Sequence, residues 1–222
     1  MEGFAAVVGP DVWTRLARLG TAEVYHPGET LLRQGETADR VLLLTGGRVK
    51  VSLVDSAGNA ILLAIRGPGQ VLGEIALLDG ASRSATVTAI DTCEARSVAI
   101  DPFVRHIRSL GLEADLIRFA VRRVRESEEV RLELATLSAG ERVIRALMRL
   151  AVPSAPPDAA EGAADRALDI GLDQTELGQA IGLSRASISG KLAELRAEGV
   201  ISTYRGRIVI NDLTRLRKLA SE

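Results

Sequence analysis

Short β-like segments separated by glycine-containing turns run from Glu23 to Ile100, and they limit the folds open to this chain more than any other feature. Val41–Leu44, Val49–Val54 and Ile61–Ile65 are apolar runs of strand length. Between the last two lies Asp55-Ser56-Ala57-Gly58-Asn59, which has the composition of a hairpin turn. Many short strands with regular glycine turns predict a jelly-roll-like barrel.

Helical periodicity flanks this β-rich segment on both sides. Apolar residues recur at helix spacing from Phe4 to Leu19 and again from Asp101 to Leu137. In the second region an apolar stripe is formed by Leu112, Leu116, Phe119, Ala120 and Val124. Ser138-Ala139-Gly140-Glu141 is a capping-box pattern, so we predict a break near Ser138 and a new helix through Leu150.

Charge and cysteine content exclude several classes of protein. The formal net charge of the 222 residues is −1, so any nucleic-acid surface must be local. Cys93 is the single cysteine, which rules out an intramolecular disulfide and a cysteine-based zinc or iron–sulfur site. Neither a signal-peptide pattern nor an apolar run of the roughly 18 residues that span a membrane occurs. We therefore expect a cytoplasmic protein without metal or membrane contact.

The segment Gly73–Val87 combines groups that suit a cyclic nucleotide. Glu74 precedes Arg83 by nine residues, and Ser84 follows at once. Arg83 can pair with a cyclic phosphate through its fork of donors, and Ser84 can add a hydroxyl. Backbone N–H groups of a short turn near Ile75 can contact the same anion. Glu74 can accept a hydrogen bond from the ribose 2′-hydroxyl.

This segment resembles the phosphate-binding cassette of cyclic-nucleotide-binding domains. The matching residues are Gly73, Glu74, Ala76, Leu77, Arg83, Ser84, Ala85 and Val87. The resemblance implies a β-roll that binds a cyclic nucleotide through Gly73, Glu74, Ile75, Ala76, Arg83 and Ser84. A surface loop whose Arg makes only a structural ion pair is the alternative.

A second motif lies near the end of the chain. Asp173-Gln174-Thr175-Glu176 is a capping pattern that opens a helix, Gly182 ends it, and Ser184 can cap a following helix over Arg185–Glu198. Two short helices joined by a tight glycine turn are typical of a helix-turn-helix. Ile201–Tyr204 and Arg207–Ile210 then predict a hairpin, or wing. The segment from Asp173 to Glu222 contains eight Lys and Arg and six Asp and Glu, so its local net charge is 8 − 6 = +2, an excess that favours contact with phosphates.

Residues 174–210 resemble the winged helix-turn-helix of the Crp/Fnr transcription-factor family. The match is carried by Glu176-Leu177-Gly178, Ile181-Gly182, Ser184-Arg185 and Val200-Ile201-Ser202. With the cassette, it implies an α+β chain with a cyclic-nucleotide-binding β-roll at residues 1–110, a long dimerisation helix at 111–137 and a DNA-binding domain at 138–222. The densely charged segment Arg122–Glu133 is then one strand of a dimeric coiled coil, the alternative being a solvated helix with i,i+4 pairs.

The resemblance also implies a homodimer that reads a pseudo-palindromic site in double-stranded DNA. Arg185 is expected in the major groove, where a bidentate contact to guanine contributes about 1–3 kcal/mol of discrimination. Ala186 and Gly190 depart from a Glu and an Arg that read bases in cyclic-AMP-responsive members, so their DNA consensus does not transfer. The residues expected at the DNA are Thr175, Ser184, Arg185, Ala186, Ser187, Ser189, Lys191, Arg205 and Arg207.

The effector is expected to be cyclic AMP or cyclic GMP. The resemblance places Ser127 and Glu128 where two hydroxyl residues of the dimer helix bind adenine, one from each subunit. Glu128 replaces a hydroxyl by a carboxylate that only accepts hydrogen bonds, and guanine offers it two neighbouring donors. Cyclic GMP or relaxed purine selectivity is therefore a hypothesis. The alternative is that Glu128 points to solvent or pairs with Arg125 or Arg131.

Other functions are weaker fits to this sequence. A DNA-binding regulator with a vestigial cassette is the main alternative. A haem or cluster sensor lacks residues, because Cys93, His26 and His106 make no convincing site. No Walker loop, metal motif or nucleophile arrangement indicates an enzyme. The resemblance places an RNA polymerase contact at Pro153–Asp158, although the residues there differ from those of the family.

Overall fold

A computed structural model describes residues 3–56, 58, 60–154 and 167–221. The chain forms two compact units, one of residues 1–54 and 65–128 and the other of residues 55–64 and 129–222. The expected polymerase contact at Pro153–Asp158 lies largely outside the described residues, since Pro153 and Ser154 end a helix and residues 155–166 are not described.

The predicted N-terminal helical region is two helices, α1 (Phe4–Val8) and α2 (Pro10–Arg18). They separate at Gly9, whose φ of 82° lies in the left-handed region that glycine favours. Pro10 then supplies the fixed φ of a first helical residue and has no N–H to leave unpaired. Both helices place apolar residues against the sheets, and Phe4 and Leu16 are fully buried.

Two antiparallel four-stranded sheets form the β-roll, with orders β1-β8-β3-β6 and β2-β7-β4-β5. The strands are β1 (Thr21–Tyr25), β2 (Thr30–Leu32), β3 (Arg40–Gly46), β4 (Val49–Val54), β5 (Ala60–Arg66), β6 (Gln70–Leu72), β7 (Thr86–Ala89) and β8 (Cys93–Ala99). The fold prediction is confirmed. At the β4–β5 turn, the Gly58 N–H donates to the Asp55 carbonyl at 3.1 Å, while Ala57 and Asn59 are outside the described residues.

Strand β3 separates two apolar cores. Val41 and Leu43 pack with Phe4, Phe103 and Phe119, whereas Leu42 and Leu44 pack among the strands around Val49 and Leu72. Because side chains alternate along a strand, a continuous apolar run can fill both faces of a strand that is covered on both sides.

Three helices follow within or after the β-roll: α3 (Glu74–Asp79), α4 (Ile100–Ser109) and α5 (Glu113–Thr136). Gly111, at φ 66°, separates α4 from α5. The apolar stripe predicted on α5 is two stripes. Leu116, Phe119 and Ala120 are buried, but Val124 is 47% exposed and belongs to a second stripe with Ile117 and Val121.

Among its described residues, the second unit contains the end of α5, four whole helices and a small antiparallel sheet of order β10-β11-β9. The elements are α6 (Ala139–Ser154), β9 (Leu168–Asp169), α7 (Gln174–Ala180), α8 (Arg185–Ala197), β10 (Ile201–Tyr204), β11 (Arg207–Ile210) and α9 (Leu213–Leu219). Ser138 and Glu141 form the predicted capping box: the Ser138 N–H donates to the Glu141 carboxylate at 2.8 Å, and the Glu141 N–H donates to Ser138 Oγ at 3.4 Å. The wing is confirmed, and β9 adds a third strand to it.

Candidate nucleotide and DNA sites

Gly73 is the point at which the cassette turns from strand to helix. It lies at φ 87° between β6 and α3, and a Cβ built on it would lie 2.3 Å from Arg83 Nη1. Only glycine fits this backbone and this close approach without strain. Ile75 and Ala76 follow in the first turn of α3, where Ile75 is half-buried and Ala76 buried. Gly73 therefore allows the guanidinium to lie directly against the backbone.

Arg83 is buried, and its guanidinium already has partners within the protein. It donates to the carbonyls of Gly73 at 3.2 Å and Arg40 at 2.5 Å, and lies 3.6 Å from the Asp39 carboxylate. Burial lowers the pKa of Arg83, and the charge of Asp39 opposes that shift. Ser84, the next residue, is exposed. The cassette thus combines a held cation with an accessible hydroxyl.

Glu74 forms a buried ion pair that the sequence analysis did not anticipate. Arg123 Nη1 donates to Glu74 Oε1 at 2.7 Å, and Arg123 Nη2 donates to Gln70 Oε1 at 2.5 Å. The Arg123 guanidinium also lies 4.4 Å from the centre of the Phe119 ring. Burial lowers the pKa of Arg123, while the Glu74 carboxylate raises it. These contacts fix the orientation of the Glu74 side chain at the start of α3.

Arg123 was missed because the charged segment of α5 contains many arginines of similar appearance. One signal was available: Arg123 precedes Ser127 by four residues, which places both on one helix face. The Ser127 hydroxyl donates to the Arg123 carbonyl at 3.1 Å and is half-buried. Glu128, the other residue expected at the base, is exposed. The structure therefore brings Glu74 together with Arg123 and leaves Glu128 on the outer face of α5.

The helix-turn-helix is built as its capping pattern predicts. The Glu176 N–H donates to Asp173 Oδ1 at 2.8 Å, and the Asp173 N–H donates to the Glu176 carboxylate at 3.0 Å. A Cβ on Gly178 would lie 2.8 Å from the Leu183 carbonyl oxygen, so the tight turn requires glycine there. Ser184 Oγ then accepts from the Ser187 N–H at 3.1 Å and starts α8.

The residues expected to contact DNA differ in how freely their side chains are presented. Thr175, Ser184, Arg185, Ala186, Ser187, Ser189 and Arg205 are exposed. Ser189 Oγ donates to the Ala186 carbonyl at 2.7 Å, within α8. Lys191 Nζ lies 2.6 Å from Glu194 Oε1, and its stem lies beside Gly140. On the wing, Arg207 lies over the Tyr204 ring and 3.6 Å from the Asp169 carboxylate.

Comparison with known proteins agrees with both sites. The model of the cyclic nucleotide-binding domain matches residues 22–109, and that of the Crp-like helix-turn-helix domain matches residues 141–219. The chain is a Crp/Fnr family transcription regulator. It is thus a DNA-binding regulator with a cyclic-nucleotide-binding domain, in a family of regulators rather than enzymes.

Relatives of this Crp/Fnr regulator match along most of the chain. It is 29% identical over 201 residues to the cyclic AMP receptor protein of Thermus thermophilus, covering 89% of this chain and 87% of the relative. It is 29% identical over 194 residues to the CRP-like cAMP-activated global transcriptional regulator of Mycobacterium tuberculosis, covering 87% and 85%. A crystal structure of a CRP/FNR family regulator from Thermus thermophilus superposes with a TM-score of 0.70 at 27% identity, covering 91% and 99%.

Two further observations concern metals and membranes. Within the described ranges, no three His, Cys, Asp or Glu side chains come together in a group that could hold a metal ion. In the same part of the chain, no helix has both the length and the apolar composition needed to cross a bilayer.

Proposed function

We propose that this regulator is a homodimer whose DNA binding is controlled by cyclic AMP or cyclic GMP. The observation that carries the proposal is the close approach of the buried Arg83 guanidinium to the Gly73 backbone, with the buried Glu74 next to Gly73 in the chain and the exposed Ser84 next to Arg83. These groups fit the phosphate and the ribose of a cyclic nucleotide, and Gly73 leaves space where any Cβ would collide.

Each group has a defined chemical role in this proposal. Arg83 and Ser84 donate to the cyclic phosphate, with help from the backbone around Ile75 and Ala76. Glu74 accepts from the ribose 2′-hydroxyl, and the hydrogen bond from Arg123 orients the Glu74 side chain. Arg83 already donates to two carbonyls, so the phosphate shares or replaces these bonds. The net binding free energy is therefore the free energy of the contacts between Arg83 and the phosphate minus that of the internal hydrogen bonds that they replace.

The homodimer is supported by the exposed stripe of α5. Ile117, Val121 and Val124 are 50%, 44% and 47% exposed and recur at spacings of four and three residues. That spacing is the apolar repeat of a two-stranded coiled coil. Glu128 continues the same stripe, so a second copy brings it to the interface. We retain the hypothesis that Glu128 favours guanine over adenine.

At the DNA, we propose that Arg185 is the principal base-reading side chain. It begins α8 and is exposed, whereas Lys191 is paired with Glu194 within the helix. Ala186 has no polar group, and Gly190 has no side chain at all. Ser187, Ser189, Thr175, Arg205 and Arg207 are then candidates for phosphate contacts, which position the protein without reading sequence.

The alternative is a nucleotide-independent regulator, and one observation favours it. The Glu74–Arg123 pair and the Arg83–carbonyl bonds satisfy the main charged groups of the cassette without a ligand. A vestigial cassette held in this way is stable by itself. The two functions differ in whether the protein binds nucleotide at all.

Calorimetric titration of the purified protein with cyclic AMP and cyclic GMP distinguishes a nucleotide-controlled regulator from a nucleotide-independent one. Ser84→Ala is the informative variant, because Ser84 is exposed and its loss leaves the Arg83 bonds intact. We expect saturable binding that weakens by roughly 10- to 150-fold in Ser84→Ala, since one hydrogen bond to a charged group is worth about 1.5–3 kcal/mol. Absence of binding to either nucleotide favours the nucleotide-independent alternative.

A further inference from the structure

A second buried ion pair lies in the same unit as the Glu74–Arg123 pair. Arg66 ends β5, Glu126 lies three residues after Arg123 on α5, and Arg66 Nη2 donates to Glu126 Oε2. The two side chains are only 10% and 14% exposed. Among the smaller influences on the pKa of Arg123, the charge of Arg66 lowers it and that of Glu126 raises it. The two pairs therefore belong to one cluster of buried charges.

The other carboxylate oxygen of Glu126 has no such partner. Oε1 is buried, and no donor among the described residues hydrogen-bonds to it. Buried acceptors are nearly always satisfied, because leaving one without a donor costs stability. Oε1 is therefore a buried acceptor that the described residues leave without a donor.

Glu126 lies on the same face of α5 as Arg123, which contacts Glu74 of the cassette. Arg123, Glu126, Ser127 and Val130 follow the i, i+3, i+4, i+7 spacing of a single helix face, and all four are buried or half-buried. Glu128 is exposed instead. Glu126 is thus next in the chain to Ser127, one of the residues expected at the nucleobase, and both are at least partly buried on this face.

We infer that Glu126 Oε1 accepts a hydrogen bond from the exocyclic amino group of the effector's nucleobase, with Arg66 holding the carboxylate in place. The inference rests on the proposed nucleotide-sensing function and adds a specificity residue to it. The adenine 6-amino group and the guanine 2-amino group offer the same donor chemistry. A base without an amino group leaves Oε1 without a donor, as it is in the ligand-free protein, so that base binds more weakly by the value of this hydrogen bond.

Calorimetry on the full chain, with matched nucleotides as probes, tests this directly. Cyclic AMP is compared with purine riboside 3′,5′-cyclic phosphate, which lacks the 6-amino group. Cyclic GMP is compared with cyclic IMP, which lacks the 2-amino group. For the nucleotide that binds, we expect loss of the amino group to weaken binding by roughly 10- to 150-fold, the value of one hydrogen bond to a charged acceptor.

Two variants assign the effect to one carboxylate. In Glu126→Met the amino group should no longer matter, while binding through Glu74 and Arg83 persists. Glu129→Met, a control on an exposed carboxylate of the same helix that has no proposed binding role, should keep the full effect. If Glu126→Met fails to fold because Arg66 is left buried and unpaired, the double variant Arg66→Met and Glu126→Met removes both charges and gives the same comparison.

The outcomes separate this inference from the proposed function. Equal binding of nucleotides with and without the amino group means that Oε1 holds a water molecule, which overturns the inference and leaves nucleotide sensing intact. An amino-group effect that survives in Glu126→Met, or that Glu129→Met removes, also overturns it. If no nucleotide binds the wild-type protein, the proposed function itself fails, and the inference fails with it.

Discussion

Removing Arg123 should destabilise the β-roll far more than removing any exposed arginine of the same helix. In Arg123→Met, the Glu74 carboxylate stays buried without its cation. Breaking one partner of a buried ion pair costs about 3–5 kcal/mol of folding free energy. We expect a loss of this size in the free energy of unfolding, measured without nucleotide.

The contacts of Arg123 explain this magnitude. Its guanidinium lies 2.7 Å from Glu74 Oε1, donates to Gln70 Oε1 at 2.5 Å, and lies over the Phe119 ring. Both charged side chains are more than nine-tenths buried, so water cannot replace the lost partner. When Glu74→Met is added, no buried charge is left alone, and well-packed apolar replacements of buried pairs are often neutral. The double variant should therefore be more stable than Arg123→Met.

Urea unfolding followed by tryptophan fluorescence is the assay. Trp13 is the only tryptophan, and it packs on the same core cluster as Phe119, so its emission reports this unit. Arg125→Met is the matched control on the exposed side of α5, and its effect should stay within about 0.5 kcal/mol. Additive losses in the double variant, or an Arg123→Met loss below about 1 kcal/mol, would refute the reasoning.

Three other predictions test separate parts of the molecule. Gly73→Ala forces a Cβ against the Arg83 guanidinium in a left-handed backbone, so unfolding free energy should fall by about 1–3 kcal/mol and calorimetric nucleotide affinity should fall with it. Arg185→Ala should weaken DNA binding in an anisotropy titration without changing the free energy of unfolding. Ser184→Ala should lower the free energy of unfolding by about 1 kcal/mol, because it removes a helix cap. Equal losses of unfolding free energy in the two variants would contradict these roles. Burial raises the pKa of the Cys93 thiol to about 11, above its ordinary value of 9.0, so the stability it contributes is complete below pH 9 and is lost as the pH rises towards 11. A Cys93→Ala variant should lack that alkaline loss, and an identical loss in both proteins would disprove the assignment.

Structural features that depend on residues close together in the sequence could be predicted from the sequence. Strand runs, glycine turns and both capping boxes depend on residues within a few positions of one another, and they are confirmed. The break at Gly9 shows the limit of periodicity, because an apolar repeat continues in register across Gly9 and Pro10 although the helix does not. Strand β9 was missed because two residues carry no periodic pattern.

The interior of the candidate nucleotide site was harder to predict from the sequence. Glu74 and Arg123 are 49 residues apart, and their pairing depends on how α5 packs on the β-roll. The same packing turns Glu126 inward and Glu128 outward, although both are carboxylates in one charged run. The sequence pattern groups Val124 with Leu116 and Phe119 in one apolar stripe, because two apolar stripes on one helix overlap when they are read as a single pattern. Pairings of this kind require the tertiary structure.

The most direct test of the account is whether nucleotide changes the affinity of this protein for DNA. The protein would first select duplexes from a random pool, and fluorescence anisotropy would then measure its affinity for a selected duplex without nucleotide and with saturating cyclic AMP or cyclic GMP. The account predicts that one nucleotide raises the affinity by roughly 5- to 150-fold, the range of typical allosteric coupling. Equal affinity under all three conditions would contradict nucleotide control.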